Sequence, residues 1–167
     1  FIFGFLPVTV LAVVIVGSLV GRRAALFVLL VASLIFYGWW NPPYLVLLLV
    51  SIGANYAMGS VLMRSPSRAF LALVVAFNLG LIAYFKYAQF LLNVANDAMA
   101  TGWTAGDIAL PLAISFFTFQ QIAYQVDVYQ GKVTDRSFLN YSLFVSFFPQ
   151  LIAGPIVHHR EVVPQYE

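Results

Sequence analysis

Charged residues and cysteine are scarce in this sequence. Only 8% of its residues are charged, and cysteine is absent. The chain therefore forms no disulfide and offers no thiolate as a nucleophile or metal ligand. Soluble domains carry roughly 25% charged and about 45–50% apolar residues, whereas apolar residues reach 62% here. This composition excludes an ordinary soluble domain and indicates an integral membrane protein.

The few charged residues are clustered, which leaves long stretches without any charge. Uncharged runs cover residues 1–21, 24–63, 69–85, 108–126 and 137–157. A helix needs on the order of 20 mostly apolar residues to cross the hydrocarbon core, so residues 24–63 suffice for two crossings. Because the runs lack the alternating pattern of barrel strands, we expect helices, whose backbone groups bond within each segment.

The expected fold is all-α, a polytopic helical membrane protein with about five to six hydrophobic helices. A turn is predicted at Asn41-Pro42-Pro43, because two successive prolines remove two backbone donors. A polar connection is predicted from Asn93 to Asp107. The predicted hydrophobic segments run from about Ile2 to Val20, Ala24 to Trp40, Tyr44 to Met63, Ala69 to Leu92, Ile108 to Tyr129 and Phe138 to Ala153.

Basic residues in alternate loops predict the orientation of the chain. Short cytoplasmic loops carry an excess of lysine and arginine, so the loops that hold these residues should be cytoplasmic. Pro149 and Gly154-Pro155 interrupt the last segment, for which a full crossing and a re-entrant loop both remain open. The orienting residues are Arg22, Arg23, Arg64 and Arg68, joined by Lys132 and Arg136 if the fifth segment crosses fully.

The fifth hydrophobic segment carries a stripe of polar side chains. Ser115, Thr118, Gln121 and Gln125 recur at three- and four-residue intervals, so a helix places them on one face within roughly 120°. Such a stripe must face protein or water rather than lipid. Two interpretations remain open: hydrogen bonds that join helices, or the wall of a polar cavity or substrate passage.

Asp127, His158 and His159 are weaker candidates for chemistry. Asp127 is either an intramembrane carboxylate of functional importance or, as we favour, part of an ion pair near the loop with Lys132 or Arg136. Adjacent residues on a helix point about 100° apart, so the two histidines do not suit one metal ion. No metal site is therefore predicted. No nucleic-acid partner is predicted either, since the basic residues form no patch.

Residues 147–155 have the sequence Phe-Phe-Pro-Gln-Leu-Ile-Ala-Gly-Pro. This stretch resembles the membrane-bound O-acyltransferase (MBOAT) family, and most of all its alginate O-acetyltransferase branch. Two further stretches agree with that branch, in the same order and at similar intervals. The resemblance therefore extends over most of the chain. The three stretches are Phe147-Phe148-Pro149-Gln150-Leu151-Ile152-Ala153-Gly154-Pro155 with the residues after it, Phe36 to Pro42, and Pro111 to Tyr129 followed by Gly131.

The resemblance implies transfer of an acyl group from a cytoplasmic donor to an extracytoplasmic polysaccharide such as alginate. The acyl group is expected to be acetyl and the donor acetyl-CoA. It implies no bound cofactor, a location in the bacterial cytoplasmic membrane, and a periplasmic acetyltransferase partner. Residues 1–167 are then one membrane-embedded region, the amino-terminal part of a larger bundle, truncated at both ends. The catalytic histidine would lie beyond Glu167, so catalytic residues stay unassigned.

The residues that the resemblance and the stripe together mark as cavity-lining or motif positions are Ser115, Thr118, Gln121, Gln125, Gln150, Gly154 and Pro155. Other functions remain open beside acetyl transfer. A D-alanyl transferase acting on teichoic acid is the nearest relative within the family. A transporter or a structural membrane subunit, both without enzymatic activity, are the alternatives from other classes.

Overall fold

A computed structural model of the chain describes residues 3–99 and 110–153. Those residues form helices and no strand, which confirms the all-α prediction. Three helices, α2, α3 and α4, are long and apolar enough to cross a membrane, and α1 is a shorter apolar helix. In chain order the helices are α1 (Phe5–Leu19), α2 (Arg22–Trp40), α3 (Pro42–Arg64), α4 (Arg68–Met99), α5 (Ile114–Tyr129), α6 (Phe138–Ser146) and α7 (Phe148–Ala153).

The first helix boundaries follow from glycine and proline. Gly21 separates α1 from α2 with a φ of 116°, a conformation that side-chain-bearing residues rarely adopt. Asn41 is extended between α2 and α3, and Pro42 and Pro43 open α3. Proline suits the first helical turn, because its missing N–H has no partner there in any helix. The predicted turn at Asn41-Pro42-Pro43 is confirmed.

Helix α4 is longer than the sequence predicted. It continues seven residues past Leu92 to Met99, so the part of the predicted polar connection from Asn93 to Met99 is wrong. Between Leu92 and Gly102 the sequence has neither glycine nor proline, and its alanine and methionine residues favour helix. Polarity alone was therefore an unreliable signal for the end of this helix.

Helix α5 starts later than its hydrophobic run. The prediction placed the start at Ile108, but residues 108 and 109 lie outside the described residues, and the helix begins at Ile114. Pro111 precedes it, and Ala113 adopts a left-handed conformation with a φ of 56°. A left-handed residue breaks the helical backbone path, so the 16-residue helix cannot extend back across it.

The last hydrophobic segment is divided into two short helices. The break falls at Phe147, whose ψ is 106°. Phe147 lies two residues before Pro149. The halves α6 and α7 have 9 and 6 residues, whereas a crossing needs about 20. Helix α7 packs on α2, where the Phe148 amide donates to the Ser33 hydroxyl at 3.4 Å. Gly154-Pro155 lies outside the described residues.

Helix α5 occupies the middle of the fold and contacts α3, α4 and α6. Large apolar side chains of α1, α2 and α4 are exposed, which suits helices that contact lipid. The polar stripe of α5 is consequently directed toward neighbouring helices. The core around this helix includes Tyr37, Leu48, Ile52, Phe117, Tyr124, Tyr141 and Phe144.

Six of the chain's eight lysines and arginines stand in the segments that meet at one end of the bundle. The Tyr56 hydroxyl donates to the Arg136 carbonyl at 2.7 Å, and Arg68 Nε donates to the Tyr129 hydroxyl at 3.3 Å. At the opposite end, the Tyr37 hydroxyl donates to the Leu112 carbonyl at 3.0 Å. Helix α5 thus runs from one end to the other. Its full crossing of the membrane, on which the predicted orientation of the α5–α6 loop depends, stays a prediction.

Candidate functional site

The predicted polar stripe of α5 lies largely inside the protein. Thr118, Gln121 and Gln125 are fully buried, whereas Ser115, one turn earlier, is partly exposed. The structure therefore brings three of the four predicted residues into the core. Gln121 and Gln125 both form hydrogen bonds with α3, although through different residues.

Gln121 connects three helices. Its Nε2 donates to the Ser51 hydroxyl of α3 at 3.2 Å, and that hydroxyl is 3.3 Å from the Gln121 Oε1. The Tyr141 hydroxyl of α6 donates to the same Oε1 at 3.5 Å. These contacts join α3, α5 and α6 through one carboxamide, which is the way buried polar side chains hold membrane helices together.

Gln125 connects α5 to a pair of asparagines one turn further along. Its Nε2 donates to the Asn55 carbonyl at 2.7 Å and lies 3.3 Å from the Asn55 Oδ1. Asn55 and Asn78 exchange side-chain hydrogen bonds of 3.1 and 2.8 Å, which adds α4. All three side chains are fully buried. We call Ser51, Asn55, Asn78, Gln121 and Gln125 the amide network.

Gly59 of α3 allows the two helices to approach closely beside this network. A Cβ atom at Gly59 would lie 3.0 Å from Tyr124 Cε1 and 3.2 Å from Gln125 Oε1. Contacts that short require the Tyr124 ring and the Gln125 carboxamide to move by a few tenths of an ångström before any larger residue fits. Small residues at helix interfaces commonly serve this purpose in membranes.

Several buried polar atoms beside the network have no hydrogen-bond partner within the part of the chain that the structure describes. They are Thr118 Oγ1, both side-chain amide atoms of Gln120, Gln125 Oε1 and Ser142 Oγ. An unsatisfied buried group costs about 1–3 kcal/mol, so native proteins keep such groups for a reason. The polar face of α5 thus combines side chains that join helices with side chains whose hydrogen-bonding capacity is unused.

Sequence reasoning missed the partners of the stripe. Ser51 and Asn55 are four residues apart, and therefore share one face of α3. Asn78 stands in the middle of the uncharged run at residues 69–85. Isolated polar residues inside apolar spans were the available signal. Gln120 was missed because it lies next to the stripe rather than on it.

The other predicted positions are less well placed for chemistry. Gln150 lies in α7 and is partly buried. Its backbone N–H donates to the Phe147 carbonyl at 3.1 Å. Asp127 is buried near the end of α5, and its ion pair with Lys132 or Arg136 stays a prediction. Residues 3–99 and 110–153 contain no group of three histidine, aspartate or glutamate side chains suited to a metal ion. Gly154, Pro155, His158 and His159 lie outside the described residues.

A small recess opens between the amide network and the basic end of the bundle. It has a volume of about 130 Å³ and includes the Tyr124 ring, beside Gln125, together with Arg64 and Arg136. Tyr56, Ser60 and Met63 of α3 complete its lining. Two arginines and two tyrosines thus line the recess, which gives it cationic groups beside a mixed polar and apolar wall.

The fold and the network together define a multi-pass helical membrane protein whose central helices are joined by buried carboxamides. No family model and no solved structure matches the chain. Curated relatives do match along its full length: it is 40% identical to the peptidoglycan O-acetyltransferase of Helicobacter pylori, over 100% of the chain and 37% of that relative. The chain belongs to the membrane-bound O-acyltransferase family.

Other relatives fall in the same family. Identity is 34% to the probable alginate O-acetylase AlgI of Pseudomonas syringae pv. tomato, over 99% of the chain and 33% of the relative. A teichoic acid D-alanyltransferase of Lacticaseibacillus rhamnosus is 32% identical over 56% of the chain and 28% of the relative. The chain spans about a third of the length of these relatives.

Proposed function

We propose that this chain is part of a membrane O-acyltransferase that transfers an acetyl group from cytoplasmic acetyl-CoA to a polysaccharide outside the bacterial cytoplasmic membrane. The observation that carries the proposal is the similarity along the whole chain to relatives named as O-acetylating enzymes. Peptidoglycan and alginate, the polymers in those names, both present sugar hydroxyls as acceptors. A periplasmic acetyltransferase that completes delivery is part of the same proposal.

The chemistry requires an acceptor hydroxyl to attack the thioester carbonyl of the donor. The hydroxyl gives up its proton to a base, a C–O bond forms, and the C–S bond breaks to release the thiol of CoA. The tetrahedral oxyanion that forms between these steps needs hydrogen-bond donors. None of these roles is assigned to the described residues, which contain no histidine.

The described residues support the proposal through position and charge. Arg64 and Arg136 line the 130 Å³ recess, where cationic groups would attract the phosphates of CoA. The amide network fixes α3, α4 and α5 against one another, which keeps the polar face of α5 in one position. Fixed positions matter, since displacements of about 1 Å from a productive geometry slow a reaction about 100-fold.

Transfer of D-alanine is the second candidate, because of the 32% identity to the teichoic acid D-alanyltransferase. That match covers only 56% of the chain, whereas the matches to the Helicobacter pylori and Pseudomonas syringae relatives cover 100% and 99%. The acyl group that is transferred distinguishes the two candidates directly.

Deletion of the gene and quantification of ester-linked groups in the cell envelope test the proposal. Mild alkali releases O-linked acetate from isolated peptidoglycan and from secreted polysaccharide, the two candidate acetyl acceptors, and it releases ester-linked D-alanine from isolated teichoic acid. We expect loss of O-acetate from one of these polymers and its restoration by the complete gene, with N-acetyl content unchanged as the internal control. Unchanged O-acetate in both polymers would contradict acetyl transfer, and a selective loss of D-alanine would favour the second candidate.

A further inference from the structure

A second and larger cleft lies at the basic end of the bundle, apart from the amide network. It has a volume of about 820 Å³ and separates the start of α2 from the segment that leads into α6. Arg22 and Arg23 line one side, and the polar side chains of Ser137 and Asn140 line the other. Small-molecule sites in proteins typically measure about 300–1,000 Å³, so the cleft has room for a polar headgroup.

The charge of the cleft is positive overall. Among the described residues that line it, Asp135 is the single acidic one, against the two arginines. The Asp135 carboxylate accepts hydrogen bonds from the Ser137 amide at 2.8 Å and from Asn140 Nδ2 at 2.9 Å. Asp135 thereby fixes the first turn of α6. The two guanidinium groups at the start of the 19-residue α2 add to the positive end of its helix dipole.

The same cleft has apolar walls that continue onto the surface facing lipid. Leu26 and Leu139 line it, and the neighbouring residues Phe27 and Phe138 are 57% and 50% exposed. Because Arg22 opens a helix long enough to span the membrane, the cleft lies at the depth of the lipid headgroups. A molecule that fits it has an anionic head and an apolar tail.

We propose that this cleft binds an anionic phospholipid, with its phosphate between Arg22 and Arg23 and its acyl chains beside Leu26 and Leu139. Basic pockets between transmembrane helices on the cytoplasmic side recognise anionic headgroups in this way. Arginine suits the phosphate because its planar group donates two parallel hydrogen bonds. The proposal is independent of acyl transfer, since a bound lipid of this kind holds α2 against α6 whatever the protein catalyses.

The test uses the protein expressed from its complete coding sequence and purified in a neutral detergent. Short-chain phosphatidylglycerol is titrated in, and binding is followed through the shift of the thermal unfolding midpoint. Phosphatidylcholine is the lipid control, and free CoA is the soluble phosphate control. The double variant Arg22→Gln/Arg23→Gln is compared with Arg68→Gln/Lys132→Gln, which removes the same charge from the same end of the bundle and leaves Arg64 and Arg136 in place.

We expect the affinity for phosphatidylglycerol to fall about 30-fold in Arg22→Gln/Arg23→Gln, the change that corresponds to losing two charges near an anionic headgroup. The Arg68→Gln/Lys132→Gln variant should change it less than threefold. Arg22→Lys/Arg23→Lys keeps the charge that orients the helix, and should show an intermediate loss because lysine cannot donate bidentately.

Three results would overturn the proposal. Equal binding of phosphatidylcholine would show that the charge of the headgroup is not recognised. Equal losses in the two glutamine variants would show that overall charge, rather than the cleft, attracts the lipid. Binding of CoA that depends on Arg22 and Arg23, without binding of phosphatidylglycerol, would assign the cleft to a soluble phosphate.

Discussion

Asn55 of α3 and Asn78 of α4 each donate a side-chain hydrogen bond to the other, at 3.1 and 2.8 Å. Both side chains are fully buried. Each Nδ2 also donates to the carbonyl four residues earlier in its own helix, that of Ser51 or Val74. The pair thus satisfies both amide groups and fixes the register between α3 and α4, since sliding either helix by one residue would separate them.

The asparagine pair should be energetically coupled. Asn78→Leu leaves the Asn55 carboxamide without a partner in α4, so we expect the free energy of unfolding to fall by about 1–3 kcal/mol. In the double variant Asn55→Leu/Asn78→Leu, the free energy of unfolding should fall by less than the sum of the two single losses. We expect this difference to be about 0.5–1.5 kcal/mol. Unfolding of the purified protein in mixed micelles of increasing SDS content measures all three.

The control for this cycle is Asn93→Leu, because Asn93 is exposed on the same helix α4. Its effect should stay within about 0.5 kcal/mol, as is usual for surface substitutions. If the losses of Asn55→Leu and Asn78→Leu simply add, the two side chains do not interact in the folded protein.

Gly59 and Gly53 of α3 should respond oppositely to replacement by alanine. A Cβ at Gly59 would lie 3.0 Å from the Tyr124 ring, whereas nothing lies within 4 Å of a Cβ at Gly53. Gly59→Ala should therefore destabilise the protein by about 1–3 kcal/mol through overpacking. Gly53→Ala should be neutral or stabilising by up to about 1 kcal/mol, because alanine favours helix over glycine.

Thermal unfolding midpoints of the two alanine variants, measured in the same detergent, provide the comparison. Both substitutions add the same methyl group to the same helix, so helix propensity cancels between them. Equal midpoints would mean that α3 and α5 can separate slightly at Gly59 at no cost, and that their close approach is not required.

Gln125 and Thr118 should separate the two interpretations of the polar stripe. Gln125 Nε2 bonds the Asn55 carbonyl at 2.7 Å, so Gln125→Met should lower the free energy of unfolding by about 1–3 kcal/mol. Thr118 Oγ1 has no partner among the described residues. Thr118→Val keeps the shape and removes the unsatisfied hydroxyl, so stability should be unchanged or higher.

Polysaccharide O-acetate in cells that carry each variant completes this comparison. We expect Thr118→Val to lower O-acetylation although the protein is fully stable, because a buried unsatisfied hydroxyl retained in a membrane helix indicates a functional partner. Normal acetylation in Thr118→Val would contradict a functional role for this hydroxyl. In Gln125→Met, acetylation should fall only as far as the amount of folded protein falls.

The helices could be predicted from sequence because apolar runs and their breaks are local properties. Segment ends at Gly21 and Asn41 depend on the residues at those positions, and they were predicted closely. The end of α4 at Met99 was not, because polar residues such as Asn93 continue a helix when neither glycine nor proline stops it.

The site was only partly predictable, for a different physical reason. Helical spacing determines that Gln121 and Gln125 share a face, but not which helix that face meets. The choice of Ser51 and Asn55 as partners depends on the packing of α3 against α5, which brings together residues 70 positions apart. Interhelical pairs of this kind are properties of tertiary structure.

The orientation of the bundle can be tested through its lack of cysteine. We expect Ser65→Cys and Thr134→Cys to face the cytoplasm and Trp39→Cys to face outward. Arginine or lysine residues lie on both sides of Ser65 and of Thr134 in the sequence, and such residues mark cytoplasmic loops. All three side chains are exposed. A membrane-impermeant maleimide should label Trp39→Cys in intact cells, and the other two only after the membrane is permeabilised. Any cysteine elsewhere in the complete protein is replaced first.

Leu48→Cys serves as the control for accessibility, because Leu48 is fully buried and should stay unlabelled under both conditions. The decisive result is whether Ser65→Cys and Thr134→Cys are labelled under the same condition. Their loops meet at one end of the bundle through the Arg68–Tyr129 and Tyr56–Arg136 contacts, so the two positions must be labelled from the same side. Labelling from opposite sides would mean that α5 does not traverse the membrane, and labelling of both in intact cells would reverse the orientation.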